Sequence, residues 1–418
     1  MHSRLTIKIK KRSATGWFVW ILVMMPFLFA FLNEFLGVPH AVRYLMDFSW
    51  IGLTVLMLLY KRHFQRTVDS LALWVILFLI CTLLTYVMLY QSGLYYLWGF
   101  RNNFRFYAAF FLFVVFLKPK DGEDYLKLFD KIFWINAAVS MFQYFVLDLE
   151  GDYLGGVFFT EAGGNSYTNL FIQTVVTRSV VLNLEKWEKL GVCSAKQGTA
   201  VVVAAMAELK FFFVELVLVI ILASLFARFS WRKLLVIVGG FLVVVLGAFF
   251  LTRLFPHFSD FFSYRWFLNE AMSAKGYTYD GDLNRLNAIP MINELWLKNW
   301  GQRLFGLGLG NCDTSAFSFL NTPFYKENSW LHYSWFSSSF LVLETGLVGL
   351  VLYVSFFILI FFAVRNLEHS GKGNMEYCQL ASVLSLMCLI LIIYNVSLRM
   401  ESGYMIFFVL ALPFIKDA

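Results

Sequence analysis

The sequence is poor in charge. Asp, Glu, Lys and Arg supply only 15% of its 418 residues, against about 25% in an ordinary soluble domain. It is poor in cysteine: the five present make no disulfide framework, and no CxxC pair points to zinc. Histidine occurs only six times. No serine nucleophile elbow, HExxH pair or Walker loop occurs, which removes the common hydrolase, zincin and P-loop chemistries. No internal repeat, low-complexity run or sustained GxxxG seam stands out, and Gly239-Gly240 reads as local packing. What the chain has instead is apolar bulk, at 60% hydrophobic and 19% aromatic. That excludes a disordered chain, which needs few apolar residues and high charge, and argues against a soluble enzyme.

The apolar residues fall into runs. About 20 of them cross a bilayer as a helix. Candidate spans are 17–36, 41–60, 70–90, 102–117, 131–149, 166–184, 192–207, 211–227, 234–252, 338–362, 378–397 and 402–416. The pair 192–207 and 211–227 is one apolar stretch interrupted by Glu208-Leu209-Lys210, readable as one long helix or as two short ones. The first run has no small-residue cleavage site and others follow at once, so it does not read as a cleaved signal. The expected fold is an all-α polytopic membrane protein with about twelve transmembrane helices. Nine lie in 1–252, a large external loop with amphipathic helices spans 253–337, and three more helices lie in 338–418.

Charge placement sets the orientation. Lys and Arg concentrate in short cytoplasmic loops. Lys8, Lys10, Lys11 and Arg12 keep the N-terminus inside, followed by Lys61, Arg62 and Arg66, by Lys118, Lys120, Lys127 and Lys131, and by Lys186 and Lys189. Arg228, Arg232 and Lys233 join them only if the chain crosses twice between 190 and 227, so twelve crossings are expected, with both termini cytoplasmic. The excess of +7 is therefore read as membrane orientation and not as a nucleic-acid surface. The inner set is mostly Lys. The outer set is mostly Arg: Arg43, Arg101, Arg105, Arg253, Arg265, Arg285, Arg303 and Arg399, with Lys210, Lys275, Lys298 and Lys326. Arginine's planar fork suits phosphate and carboxylate oxygens, so this face is a candidate anion site. Chance and ordinary ion pairs are the competing explanation.

Ionisable residues in or near apolar spans are candidate sites. Arg101 and Arg105 lie four apart, on one helix face at the outer end of 102–117. They repel unless an anion or a carboxylate sits between them, which reads as a diphosphate clamp or as snorkelling to headgroups. Arg178, deeper, pairs with an acid such as Asp47 or serves chemistry, and Arg43 also shares a face with Asp47. Lys210 starts a helix near free backbone N–H groups, which again suits an anion, with a Glu208–Lys210 pair as the rival. In the long loop stand Tyr264-Arg265-Trp266, then Asp282 to Asn287, and an apolar-periodic stretch through Trp300. That stretch predicts an amphipathic helix with Asp282 as N-cap and Pro290 as a bend. Asp280-Gly281-Asp282 reads as a turn plus cap ahead of a cation site. Gly306-Leu307-Gly308-Leu309-Gly310 lacks a strand–turn–helix context and reads as a tight turn. His332 is either structural or a base that is neutral near pH 7.

Their order carries a resemblance. A basic apex between two helices, one further helix, and a long loop holding Arg285 come first. "LFGLGLGN" at 304–311, His332, and a helix opening "LETGLVGLVLY" at 343–353 follow. This resembles the O-antigen polymerase and O-antigen ligase superfamily of bacterial polysaccharide assembly, most clearly over about 199–363. The resemblance implies a GT-C-like membrane glycosyltransferase of the bacterial inner membrane. It would work at the extracytoplasmic face without metal or other cofactor. It implies an undecaprenyl-diphosphate-linked oligosaccharide as donor and, for a polymerase, a chain-length regulator protein as partner. Carried onto this chain, Arg285 matches the loop arginine that binds the donor diphosphate. Lys210 falls where the family usually has a Ser-Arg pair. His332 falls near the catalytic histidine. It lies twelve residues before Glu344, where the family usually has about nine, and Trp335 occupies the usual position. Arg101, Arg105, Lys210 and Arg285 are thus the expected diphosphate contacts, with Arg285 and His332 catalytic. The expected activity is polysaccharide polymerase, with a ligase on the same donor or a flippase or transporter for the lipid-linked glycan as alternatives.

Overall fold

The computed structural model describes residues 13–60, 66–160, 163–227, 231–254, 276–278 and 281–415. Among them there is no strand beyond a single bridge between Tyr277 and Leu283. The helices are α1 (Ala14–Ala30), α2 (Leu45–Leu59), α3 (Arg66–Met88), α4 (Gly93–Phe116), α5 (Pro119–Leu147), α6 (Gly164–Leu184), α7 (Leu190–Met206), α8 (Phe212–Phe226) and α9 (Trp231–Leu254). Then come three short helices, α10 (Ala288–Leu295), α11 (Trp300–Phe305) and α12 (Pro323–Asn328). The chain closes with α13 (Ser337–His369), α14 (Met375–Tyr394) and α15 (Gly403–Ala411). Five stretches, Ala14–Phe35, His40–Leu59, Val68–Met88, Ser337–His369 and Met375–Tyr394, are long and apolar enough to cross a membrane. The chain is a multi-pass helical membrane protein.

A helix occupies each of the twelve apolar segments. The break at Glu208 is a true turn. Glu208 takes a left-handed conformation (φ 50°), and Leu209 N–H donates to Ala204 O at 2.7 Å, so α7 and α8 are separate. Several boundaries move, two of them through charged segments and one, the end of α13, from 362 to His369. Helix α4 starts at Gly93, nine residues before the predicted span, and carries Arg101 and Arg105 inside it. Helix α5 starts at Pro119 and makes the basic Lys120–Lys127 region helical, because proline fits a first turn and Lys127 pairs with Glu123 one turn away.

The core is aromatic. Phe27, Phe129, Phe158 and Phe171 meet edge to face or tilted, and Tyr107 sits among Tyr353, Phe356 and Phe407. Leucines of α2 and α3 such as Leu58, Leu59, Leu73 and Leu84 face outward, as a hydrocarbon-facing surface requires. The five cysteines are all unpaired. Residues 281–336 cover one end of the bundle, here the loop end, over a small core of Leu283, Ile292, Leu297, Tyr333 and Phe340.

The glycine run fixes this cover to the bundle. Helix α13 breaks at Gly346 (φ 65°, ψ −166°), which frees the carbonyls of Leu343 and Glu344. Leu307 N–H donates to Leu343 O at 2.7 Å, and Gly308 N–H to Glu344 O at 3.1 Å. A Cβ on Gly306 would lie 2.5 Å from the Glu344–Thr345 backbone, and one on Gly346 would lie 2.4 Å from the Leu304–Phe305 backbone. Only glycine allows either the approach or the dihedrals. Gly310 packs against Gly99 of α4 in the same way, with 2.4 Å between a Gly99 Cβ and Gly310 N.

Candidate functional site

His332 follows the short turn Ser329–Leu331 and is itself left-handed (φ 51°). Its Nδ1 lies 2.5 Å from Asp282 Oδ1, and its ring stacks on Trp335 at 4.0 Å and 16°. The partner turn is pinned from both sides. Thr278 N–H donates to Asp282 O at 2.9 Å, Asp282 N–H donates to Thr278 Oγ1 at 3.2 Å, and Leu283 N–H donates to Leu331 O at 3.1 Å. A carboxylate only accepts, so the neutral ring carries its proton on Nδ1 and keeps a free lone pair on Nε2. The side chain is 40% exposed, enough for that lone pair to meet a substrate.

Three residues after Asp282, Arg285 donates from Nε to Tyr394 O at 3.1 Å, with its guanidinium 5.1 Å above the Tyr394 ring. The same ring stacks on Phe211 at 4.3 Å and 22°. Phe211 directly follows Lys210, so the α7–α8 apex and the Arg285 turn meet across Tyr394. Among the described residues Arg285 has no carboxylate partner.

The predicted helix around Arg285 is different in the structure. Asp282 faces His332 and caps nothing. Helix α10 begins at Ala288 after Asn287, so Arg285 lies in the turn before it. Pro290 falls in the first turn of α10, where its missing N–H costs nothing, and the periodic stretch ends in two helices with a gap at Trp296–Asn299. Asp280 and Tyr264-Arg265-Trp266 lie outside the described residues.

Arg101 and Arg105 belong to a second cluster. Arg101 forks onto Asp47 at 2.7 and 3.1 Å and lies between the rings of Tyr44 and Trp98. Arg105, 2% exposed, reaches Glu401 Oε1 at 3.3 Å and Arg399 O at 3.0 Å. Glu401, in the connection between α14 and α15, also accepts the Tyr167 hydroxyl at 2.5 Å. Burial pushes the Glu401 carboxyl up, but Arg105, then Arg101, the Tyr167 bond and Arg43 outweigh it and hold it at about 2. Arg399 completes the set, 3.3 Å from Asp313, 3.7 Å from Glu344 and 3.8 Å from the centre of the Phe340 ring. Asn102 donates to the same Asp313 oxygen at 2.8 Å. Four arginines (43, 101, 105 and 399) thus stand among four carboxylates (47, 313, 344 and 401). The cluster ties α2, α4 and α13 to the Asp313 loop and to the connection between α14 and α15.

The structure therefore sets the Lys210 apex and Arg285 on either side of Tyr394, and His332 against Asp282, three residues before Arg285 in the chain. Arg101 and Arg105 are engaged instead by acids, Asp47 and Glu401. Arg178 pairs with neither Asp47 nor the loop end. It reaches Glu376 at 2.8 Å and Asp130, at the opposite end of the bundle. Arg43 does not pair with Asp47, which Arg101 holds; Arg43 lies over the Tyr44 ring.

The Asp282–His332 pair escaped sequence reasoning because fifty residues separate the two. The pairing of Arg399 with Asp313 and Glu344, and of Arg105 with Glu401, escaped it because nothing local marks a buried ion pair; the only available signal was that each is a charge inside an apolar context. Compared with protein-family models and with curated proteins, the chain matches none.

Proposed function

We propose that the chain is an integral-membrane polysaccharide polymerase. In this reading it transfers a glycan from undecaprenyl diphosphate to a hydroxyl of a lipid-linked repeat unit, at the extracytoplasmic face of a twelve-span, GT-C-like bundle. The observation that carries it is the His332–Asp282 pair, three residues from an arginine with no carboxylate partner among the described residues, which itself meets the Lys210 apex across the Phe211–Tyr394 stack.

The chemistry follows from those groups. The acceptor hydroxyl gives its proton to His332 Nε2, and its oxygen bonds to the anomeric carbon. The bond from that carbon to the diphosphate oxygen breaks, and the lipid diphosphate leaves with the electron pair. Negative charge on the diphosphate grows in the transition state, so a preplaced guanidinium at Arg285 and the ammonium of Lys210 lower the barrier. Asp282 fixes the tautomer and stabilises the imidazolium that forms. Apolar surface between helices suits the polyprenyl tail.

The test is reconstitution with defined lipid-linked repeat units alone. Ladders of increasing length that vanish with Arg285→Ala support the reading. Transfer only to a different acceptor makes the protein a ligase. Movement of the lipid-linked glycan across the bilayer with no new glycosidic bond makes it a transporter.

A further inference from the structure

In helix α6 every residue except Ser166 is buried. Four of its polar side chains, Asn165, Asn169, Gln173 and Thr177, recur every fourth residue and make one leaning stripe about 18 Å long. Asn165 begins it at the loop end, donating to Asp152 at 2.7 Å and, at 3.4 Å, to the Ala207 carbonyl beside the Glu208 turn. One turn on, Asn169 donates to the carboxyl of Glu215 on α8 at 3.2 Å, and Glu215 is fully buried.

The stripe has polar atoms left over. Asn169 Oδ1, both amide atoms of Gln173, Thr177 Oγ1 and Glu215 Oε2 have no partner among the described residues. Most other polar side chains of the helix find partners, Asn183 Oδ1 being an exception. Thr174 Oγ1 donates to Leu170 O at 2.7 Å and Thr168 Oγ1 to Gly155 O at 2.6 Å. Around Glu215, α6 presents the neutral Asn169, α14 presents Tyr394, and Arg253 at the end of α9 is exposed. No salt bridge reaches Glu215 among the described residues. A membrane interior offers no bulk water to unpaired polar groups, so they persist where other partners reach them. Five such atoms in succession provide the two to four contacts that each buried water requires.

We propose that this stripe is a water-binding column within the membrane-embedded bundle, entered from the loop end, with Glu215 as its proton-exchanging member. It ends at Thr177, next to the Arg178–Asp130–Lys196–Glu188 network that closes the opposite end. The inference does not rest on the polymerase reading.

Two measurements test it on the full chain in proteoliposomes. The first compares infrared spectra of the wild-type protein and Glu215→Gln in H2O and in D2O. A carboxylic C=O band absent from the variant should shift down within minutes of exchange into D2O. No such band, or one that stays put, overturns the proposal. The second replaces the five native cysteines with Ala and then places single cysteines at Gln173 and Thr177 on the stripe, and at Ile172 and Val176 beside it. Silver ion should block most later maleimide labelling at Gln173→Cys and Thr177→Cys after unfolding, and leave Ile172→Cys and Val176→Cys labelled. Equal protection at all four, or at none, overturns the column. The infrared comparison decides if the cysteine variants do not fold.

Discussion

His332 Nδ1 and Asp282 Oδ1 lie 2.5 Å apart, joining two turns separated by fifty residues of chain. If that pair is the base, it has a definite signature. His332→Ala should lower polymerisation about 10²–10⁴-fold, the usual contribution of a general base. Asp282→Asn keeps the shape but offers a donor where Nδ1–H needs an acceptor. It should also lower turnover by at least about tenfold, with an unchanged melting temperature in detergent. Full activity in Asp282→Asn would remove the dyad from the mechanism.

Arg285 and Lys210 separate charge from geometry. Arg285→Ala should lower turnover by about 100-fold, as loss of one oxyanion-type donor does. Arg285→Lys keeps a point charge and loses the fork, so it should fall between the two. Lys210→Arg should retain or raise activity, because it restores the bidentate donor usual at that place in the resembling family. Rates of ladder formation at saturating lipid-linked substrate decide each case.

The Arg105–Glu401 pair makes a stability prediction. Removing Arg105 alone strands a buried carboxylate, at a cost of about 3–5 kcal/mol. The double change Arg105→Met with Glu401→Gln removes both charges and should recover most of that loss. The pH dependence has a fixed sign. Glu401 is held at about 2 when folded, below the unfolded value of about 4.3. Its contribution is therefore complete above about pH 5 and is lost as pH falls toward 2. Thermal unfolding between pH 5 and 3 should be flatter in the double variant than in the wild type.

Glycine at 306 and 346 is required by contact and by dihedral angle together. Either Gly306→Ala or Gly346→Ala should destabilise by at least about 1–3 kcal/mol from backbone strain alone. Because both substitutions damage one contact, the double variant should lose less than the sum of the singles. Unfolding of all three in the same detergent measures the coupling.

Much of the fold was legible because hydrocarbon-length apolar runs are a strong signal. Even the α7–α8 break could be read from Glu208 and Lys210, since a charge pair in mid-run is costly unless it stands at a turn. Helix starts were less legible. Gly93–Trp98 reads as an aromatic interface stretch, and only the pairing of Arg101 with Asp47 shows how α4 continues through its charges. The candidate site was legible as residue types in order, namely Lys210, Arg285, the glycine run and His332. It was not legible as contacts. Asp282 looks like a helix cap because caps and dyad partners call for the same residue. The α6 stripe is polar enough to read in the sequence at 165, 169, 173 and 177. Its meaning depends on Glu215, which periodicity within one helix does not reveal.

The seam between Gly306 and Gly346 makes the chain from 307 to 345 a closed loop hydrogen-bonded at its own base. The entropy of closing such a loop grows only with the logarithm of its length. Residues can therefore be added or lost between its pinned points, such as Gly310, Asp313 and Ser337, at a cost that grows slowly with length. The segments between its pinned points behave as exchangeable inserts on a fixed frame, free to change in length while the membrane helices stay as they are.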